Sequence, residues 1–456
     1  MYNKRKLKFP ILVIGDMALF YVALFAMLFV RYPVGEIMQE FTLYHAIPFT
    51  IIFFIWILVF ISLGLYEVRV TKNEYAFIER IVQATITNAV VGVIFFYGIP
   101  AFQITPRVNL SIVLLFTALF IFVWRYVFNG IIAHRNADRV LFFGLSEDVQ
   151  TIAKYLKANP QYTFQPIAYI STDTTTVPFQ LEPIYPLDHN LKELVQKFSI
   201  DTIVTSKEIT DNKILVRALF EILPLGVTVI DFPVFYEIIT GKIPVYSINE
   251  LWFLENFVKI KNTPYERIHR ACDIILAIVF FVPYAILFPC IAAIIALESN
   301  GPILYRQKRV GKGGTEIEII KFRSMVANAE TGNALWADEN DSRITRIGAF
   351  LRKTRLDELP QLLNILKGEM SFIGPRPERP EFVKLLEKEI PFYHMRHLVS
   401  PGLTGWAQIN FPYGASINDA MEKLQYDLYY IKHRSLSLDF DILLRTIVVI
   451  LSRAGR

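Results

Sequence analysis

Four long apolar runs dominate the first 135 residues: Phe9–Val30, Ala46–Leu65, Ile81–Phe102 and Leu110–Ala133. Each approaches the ~20 residues that carry a helix across ~30 Å of hydrocarbon. Polar interruptions are few, namely Asp16 in the first run, Thr85 to Asn88 in the third and Arg125 in the fourth. Four such runs in succession predict a transmembrane bundle over residues 1–135 rather than buried helices of a soluble domain. Basic residues collect before the first run (Lys4, Arg5, Lys6, Lys8), between the second and third (Arg69, Lys72, Arg80) and after the fourth (Arg135, Arg139). The other two loops carry mainly Arg31 and Arg107, so the positive-inside bias puts both ends of the bundle in the cytoplasm. The first run lacks a small-residue cleavage site and more spans follow it, so no cleavable signal peptide is expected.

The pattern changes over 136–250. Arg139–Gly144 reads as a short buried strand ending at a glycine, and Val149, Ile152, Ala153 and Leu156 then fall at helical spacing. Further strand-like runs at Pro166–Ile170, Asp201–Val204 and Val227–Ile230 alternate with helical patterns. That alternation predicts a small Rossmann-like parallel α/β module. Its first turn, Gly144-Leu-Ser-Glu-Asp148, has one glycine where a dinucleotide fingerprint needs three, and two acids that would repel a pyrophosphate. A structural or regulatory module is therefore expected.

A fifth apolar run, 268–297, contains Pro283 near its middle and Pro289 beyond, with Asp273 near its start. Proline removes a helical hydrogen bond and clashes with the preceding turn, so a kink is expected at Pro283. Arg267 and Arg270 precede the run, and Arg306, Lys308 and Arg309 follow it. If both flanks prefer the cytoplasm, the segment enters the membrane and returns. Residues 301–356 then hold eleven basic against six acidic residues. Alternation over Glu316–Phe322 predicts a strand that ends by presenting Lys321 and Arg323, a surface able to clamp phosphates or meet anionic headgroups.

The densest chemistry lies in Leu351-Arg-Lys-Thr-Arg-Leu-Asp-Glu-Leu-Pro-Gln361. Pro360 suits the first turn of a helix that Gly368 would stop, which puts Asp357 and Glu358 at its N-terminus. There the positive end of the helix dipole keeps a carboxylate ionised and attracts phosphate. A carboxylate among Arg352, Lys353 and Arg355 can attack phosphorus, and its neighbour can hold Mg²⁺. In isolation, an Asp-Glu pair at a helix start is only a capping feature.

Composition agrees with a membrane enzyme. Hydrophobic residues make up 53%, with 37 Phe and 22 Tyr, and the formal charge of +5 is too small to suggest a nucleic-acid binder. The only cysteines, Cys272 and Cys290, share one apolar run, which excludes a disulfide framework.

Four ordered stretches carry a specific resemblance: Lys321-Phe-Arg-Ser-Met325, Leu351 to Gln361, Ser371-Phe-Ile-Gly-Pro-Arg-Pro-Glu378 and Pro401-Gly-Leu-Thr-Gly-Trp-Ala-Gln408. Residues 264–456 resemble the bacterial sugar transferases, the monotopic phosphoglycosyl transferases. With the bundle and module before them, they are similar to the large subclass, the polyprenyl-phosphate hexose-1-phosphate transferases. The resemblance implies a mixed α/β catalytic domain anchored by a re-entrant helix at the cytoplasmic face of the inner membrane. It implies transfer of a sugar-1-phosphate from a nucleotide sugar, UDP-linked, to undecaprenyl phosphate, the first membrane step of exopolysaccharide, capsule or lipopolysaccharide O-antigen assembly. Asp357 would be the nucleophile, Glu358 the Mg²⁺ ligand, and Arg352, Lys321 and Arg323 the phosphate supports. Arg376 and Glu378 would belong to the nucleotide pocket, with Asp427 another acid of the site. The resemblance leaves room for a homodimer. The family breaks its re-entrant helix with Ser-Pro; this chain has Val282-Pro283 and loses the hydroxyl contact.

Other residues draw plainer expectations. His394 and His397 lack an acidic neighbour and read as surface or interface histidines. Trp406 reads as a core or bilayer-interface residue, and Phe440–Leu451 as a helix on the membrane or packed on the catalytic fold. A non-catalytic scaffold of the same fold would be free to lose Asp357, Glu358, Arg352 and Arg376, all of which are present. A transporter is disfavoured because the polar motifs gather in one block outside the spans.

Overall fold

The structure, a computed structural model, describes residues 8–66, 75–99, 106–133, 137–171, 183–186, 190–205, 213–257, 263–326, 343–411, 414 and 416–451. Lys4, Arg5, Lys6, Arg69, Lys72 and Arg135, on which the orientation reading leans, lie outside the described residues. The chain forms two compact units, Met1–Ile230 and Asp231–Arg456.

In the first unit the apolar runs become the helices Lys8–Arg31, Ala46–Ser62, Tyr75–Gly98 and Pro106–Ala133. Phe20, Phe53 and Trp56 interlock in their shared interior, while Phe29, Phe54, Ile94 and Leu115 face outward. Apolar side chains outside as well as inside are the mark of a helix solvated by lipid. The two interior charges meet: Arg125 is paired with Asp16, which also accepts from the Tyr66 hydroxyl at 2.8 Å. The Arg125 guanidinium donates to the Leu65 carbonyl at 2.7 Å, so this buried pair fastens the end of the second helix. Among the described residues five helices, the fifth in the second unit, are long and apolar enough to cross a membrane, and the molecule is a membrane protein.

The same unit carries a five-stranded sheet of β1 (Asp138–Phe143), β2 (Phe164–Ser171), β3 (Ile184–Pro186), β4 (Thr202–Thr205) and β5 (Thr228–Asp231). Its order is β3-β2-β1-β4-β5, with β2 and β4 parallel to β1 and β3 parallel to β2. This is the order of a Rossmann-type half-sheet extended by two strands. Gly144, just after β1, sits at φ 86° and donates to the Ile170 carbonyl at 2.8 Å. Its conformation suits glycine whether or not a phosphate is near. Ser146 caps the next helix, accepting from Val149 N, with Glu147 and Asp148 in the first turn.

The second unit begins before the residue-250 boundary expected from the sequence. The segment from Ile243 to Phe257 packs into its core, where Ile243, Val245, Trp252 and Phe253 share one buried cluster with Leu424 and Tyr393. Glu237 pairs with Lys432 and His433, and Lys242 with Glu422, all on the helix Ile417–His433. Short helices with several exposed apolar residues gave this segment no clear period.

The fifth apolar helix spans Thr263–Glu298 and is continuous through Pro283 and Pro289. It lies along the catalytic unit rather than projecting from it. Ala277, Tyr284, Ile291 and Ile295 are buried at roughly heptad spacing, with Tyr284 and Phe288 against Phe322. Ile275, Val279, Val282, Ile286 and Leu297 remain exposed on the other side. Around this helix fold a hairpin of β6 (Leu304–Val310) and β7 (Glu316–Phe322), and a parallel pair of β8 (Ser371–Ile373) and β9 (Gly402–Thr404). β7 covers the strand expected over Glu316–Phe322, although Ile319 and Ile320 are both buried. The helix Leu436–Leu451 packs on the catalytic fold: Ile442 is fully buried and Thr446 bonds Thr404 at 2.7 Å.

Candidate active site

The Asp357-Glu358 pair lies inside a 3-10 helix, Leu356–Gln361, and the α-helix proper begins only at Leu362. The α-helical N-terminus expected around Pro360 thus falls later, at Leu362. Arg355 explains part of the shift: it closes the helix Arg346–Thr354 in a left-handed conformation, φ 58°, and reverses the chain just before the acids. Gly368, at φ 84°, ends Leu362–Lys367 as expected.

Both carboxylates are 7% exposed, and cations surround them. Lys321, from the end of β7, donates to Glu358 Oε1 at 2.9 Å. Arg376, from the arm after β8, donates to the same oxygen at 2.9 Å. Arg355 approaches the other Glu358 oxygen at 4.0 Å. Burial alone would raise the Glu358 carboxyl, but Arg376 and Lys321 overcome it and hold the group well below the usual carboxylate range. Asp357 goes the other way. Burial and then the charge of Glu358 push it up, only partly offset by Lys321, Arg352 and Arg355. Its Oδ1 is buried with no hydrogen-bond partner. A buried carboxylate oxygen is costly to leave unpaired, which sets this atom apart from the satisfied Glu358 beside it.

Two supports set the arms. Arg352 is steered by Ser324, whose Oγ accepts from Nε at 2.9 Å. Gly374 and Gly402 bring β8 and β9 together so closely that a Cβ on Gly374 would stand 2.4 Å from the Ser400 carbonyl oxygen. That contact fixes where the Pro375-Arg376-Pro377 arm leaves the sheet. Asp427 does not face the recess. It is buried and accepts from Arg396 at 2.8 and 3.0 Å, and Arg396 in turn donates to the Arg376 carbonyl at 3.0 Å. Glu378 faces Arg309 at 3.7 Å, and Arg309 donates to the Pro377 carbonyl at 3.1 Å. Arg309, Lys321, Glu358, Gln361 and Arg376 line one recess.

Arg323 is held elsewhere. Its guanidinium donates to the Ser299 carbonyl at 2.6 Å and to Ser299 Oγ at 2.9 Å, capping the end of the Thr263–Glu298 helix. In the sequence Arg309 stands out only as one of the basic residues after the fifth apolar run, and Arg396 is not singled out. Trp406 stacks on Tyr429 and donates to the Gly241 carbonyl at 3.0 Å, a core role. His394 is exposed, while His397 is half-buried beside Arg396, and burial pulls it down to about 4.

Among the described residues no three His, Cys, Asp or Glu side chains cluster as a preformed metal site. The adjacent carboxylates, one with an unpartnered oxygen, fit Mg²⁺ all the same, since that ion takes one or two carboxylates and completes its shell with water and substrate phosphates.

The site is thus a buried acidic pair ringed by cations, on a fold banded by an apolar helix. The bacterial sugar transferase family matches residues 264–453. The chain is 43% identical over 220 residues to a UDP-N-acetylgalactosamine-undecaprenyl-phosphate N-acetylgalactosaminephosphotransferase of Aeromonas hydrophila, covering 48% of this chain and 51% of that one. It is 32% identical over 333 residues to a UDP-glucose:undecaprenyl-phosphate glucose-1-phosphate transferase of Xanthomonas campestris pv. campestris, covering 70% and 67%. A putative undecaprenyl-phosphate N-acetylgalactosaminyl 1-phosphate transferase of Bacillus subtilis is 50% identical over 139 residues, 30% of this chain and 76% of that one. The match spans about half the length of the Aeromonas relative and two thirds of the Xanthomonas one. The chain belongs to the bacterial sugar transferase family.

Proposed function

We propose that this chain transfers a sugar-1-phosphate from a UDP-sugar to undecaprenyl phosphate, releasing UMP, with Asp357 as nucleophile. The observation that carries this reading is the buried, unpartnered Asp357 Oδ1 among Lys321, Arg352 and Arg355. An Asp357 oxygen bonds to the phosphorus next to the sugar as the diphosphate P–O bond breaks, and the electron pair leaves on UMP. A phosphate oxygen of the lipid then bonds to that phosphorus, the aspartyl P–O bond breaks, and the carboxylate is restored. The cations offset the donor's charge, so that a carboxylate can approach phosphorus. Mg²⁺, when bound, would be held by Glu358 and would neutralise diphosphate charge. Arg376 and Glu378 contact the nucleotide, while Asp427 and Arg396 act as positioning residues for the arm that carries Arg376. The donor class and the lipid are those for which the relatives are named.

The long helix supports a topology in which both of its ends lie on one face of the membrane. At one end Arg270 donates to the carbonyls of Ile365 and Leu366, at 2.6 and 2.8 Å. At the other, Glu298 accepts from Ile347 N at 3.2 Å. A helix tied at both ends to one polar unit keeps both ends on one membrane face and lays its exposed apolar side into the lipid. That face is the cytoplasmic side of the inner membrane, where UDP-sugars are found, and the four N-terminal helices form the spanning bundle. The product is the lipid-linked starter of a surface polysaccharide. Incubating the purified chain with Mg²⁺, undecaprenyl phosphate and a panel of UDP-sugars tests this: UMP release with one of them supports it, and none with any member contradicts it.

A further inference from the structure

The start of the long apolar helix holds a hydrogen-bonded chain that the transfer steps above do not use. His269 Nδ1 meets Asp439 Oδ2 at 2.8 Å, and His269 Nε2 meets Ser371 Oγ at 2.8 Å. Ser371 Oγ continues to Asp273 Oδ1 at 3.0 Å. The order Asp, His, Ser is that of a hydrolytic triad. Ser371, however, is only 2% exposed and its hydroxyl is spent on Asp273, so no substrate reaches it. The chain instead joins three elements: the apolar helix, β8 and the helix Leu436–Leu451.

Counting protons shows what joins them. Asp439 accepts from Tyr265 at 2.8 Å and Tyr430 at 3.0 Å, as an ionised carboxylate does, so His269 Nδ1–H is its third donor. Beyond Nε2 there are two contacts, His269 to Ser371 and Ser371 to Asp273, and the serine hydroxyl supplies one proton. The second must sit on His269 Nε2 or on Asp273. Ser371 Oγ also accepts from Ile373 N at 3.1 Å, and Asp273 Oδ1 from Phe372 N at 2.9 Å, and neither backbone donor fills the gap between them. Arg270 and Arg434 flank the cluster, but Arg270 is spent on backbone carbonyls and Arg434 lies over Tyr265 and near Glu266.

Five residues after Ser371 comes Arg376, which holds Glu358. We propose that His269 is a positioning residue: through one proton shared along Asp439–His269–Ser371–Asp273 it clamps the membrane-lying helix to β8 and so sets Arg376 over the acidic pair. The inference rests on the transferase reading for its kinetic arm only.

The test uses the full chain in lipid nanodiscs, with wild type, His269→Gln and His269→Asn compared at matched pH. Glutamine can still donate from the Nε2 position to Ser371; asparagine reaches only toward Asp439. The expected result for His269→Asn is amide exchange over residues 371–378 about tenfold faster than wild type at matched pH, the scale of one lost charge-assisted hydrogen bond, with exchange over 140–171 unchanged. Its UDP-sugar KM should rise about tenfold while kcat moves less. His269→Gln, which keeps the donor to Ser371, should stay close to wild type over 371–378. Equal exchange in all three proteins would overturn the proposal. The exchange arm needs no turnover, so an inactive wild type would sink the transferase reading and leave this one tested.

Discussion

Arg376 and Glu358 meet at 2.9 Å through one carboxylate oxygen, Oε1, which also receives Lys321 at 2.9 Å. Two cations on one oxygen keep Glu358 charged and leave its neighbour, Asp357, as the acid that feels burial and like charge most. The pair therefore titrates apart, the arrangement that lets adjacent carboxylates take different tasks.

Asp357→Asn should abolish turnover and stabilise the resting protein. The Asp357 carboxyl is raised in the fold, so its contribution to stability is full below the unfolded value and is lost as pH rises through the folded one. Asparagine removes the buried charge that neutral pH imposes. Thermal unfolding in detergent should move up by a few degrees, ~1 kcal/mol, at neutral pH, and the gain should vanish in acid. A lower melting temperature at neutral pH would show that the cations fully compensate the charge.

Glu358→Gln should act through the cations. With a neutral acceptor, Lys321 and Arg376 lose their anchor and Mg²⁺ loses a carboxylate. Turnover should fall about 10²-fold and the Mg²⁺ needed for half activity should rise, read from initial rates across a magnesium titration. Unchanged magnesium dependence would remove Glu358 from the metal's ligands.

Asp427→Asn should weaken donor binding without touching the reacting atoms. Asp427 holds Arg396, and Arg396 holds the Arg376 carbonyl. Donor KM should rise about tenfold with a smaller change in kcat, while Arg396→Ala, which strands a buried acid, should cost ~3 kcal/mol of stability. The measurements are steady-state kinetics and denaturant unfolding.

Much of this site was legible in the sequence, and what was not has a physical reason. The period-2 pattern of Glu316–Phe322 located Lys321, and the glycine stop at 368 framed the acidic pair. Arg323 looked like a phosphate clamp because it shares a basic cluster with Lys321, yet it caps a helix that ends 25 residues earlier in the chain. Arg396 gave no signal because its partner, Asp427, lies 31 residues away on another helix, and no local period encodes such a pair. The 3-10 turn at the acids was hidden because only the left-handed Arg355 reveals it.

The long helix offers a topological prediction. Cys272 and Cys290 lie exposed on it and must first be replaced. Single cysteines at positions 264 and 301 should then react with an impermeant thiol reagent only from the cytoplasmic side. Labelling of 301 from outside would show a fifth crossing.

The covalent step is tested most directly by intact and peptide mass spectrometry of the enzyme given its UDP-sugar donor and Mg²⁺ without lipid acceptor. The account predicts a gain of one sugar-phosphate on the peptide holding Asp357, stoichiometric UMP release, loss of the adduct when undecaprenyl phosphate is added, and none of these in Asp357→Asn. Lipid-dependent UMP release with no adduct, together with an active Asp357→Asn, would mean that the lipid phosphate attacks the donor itself, contradicting the central claim.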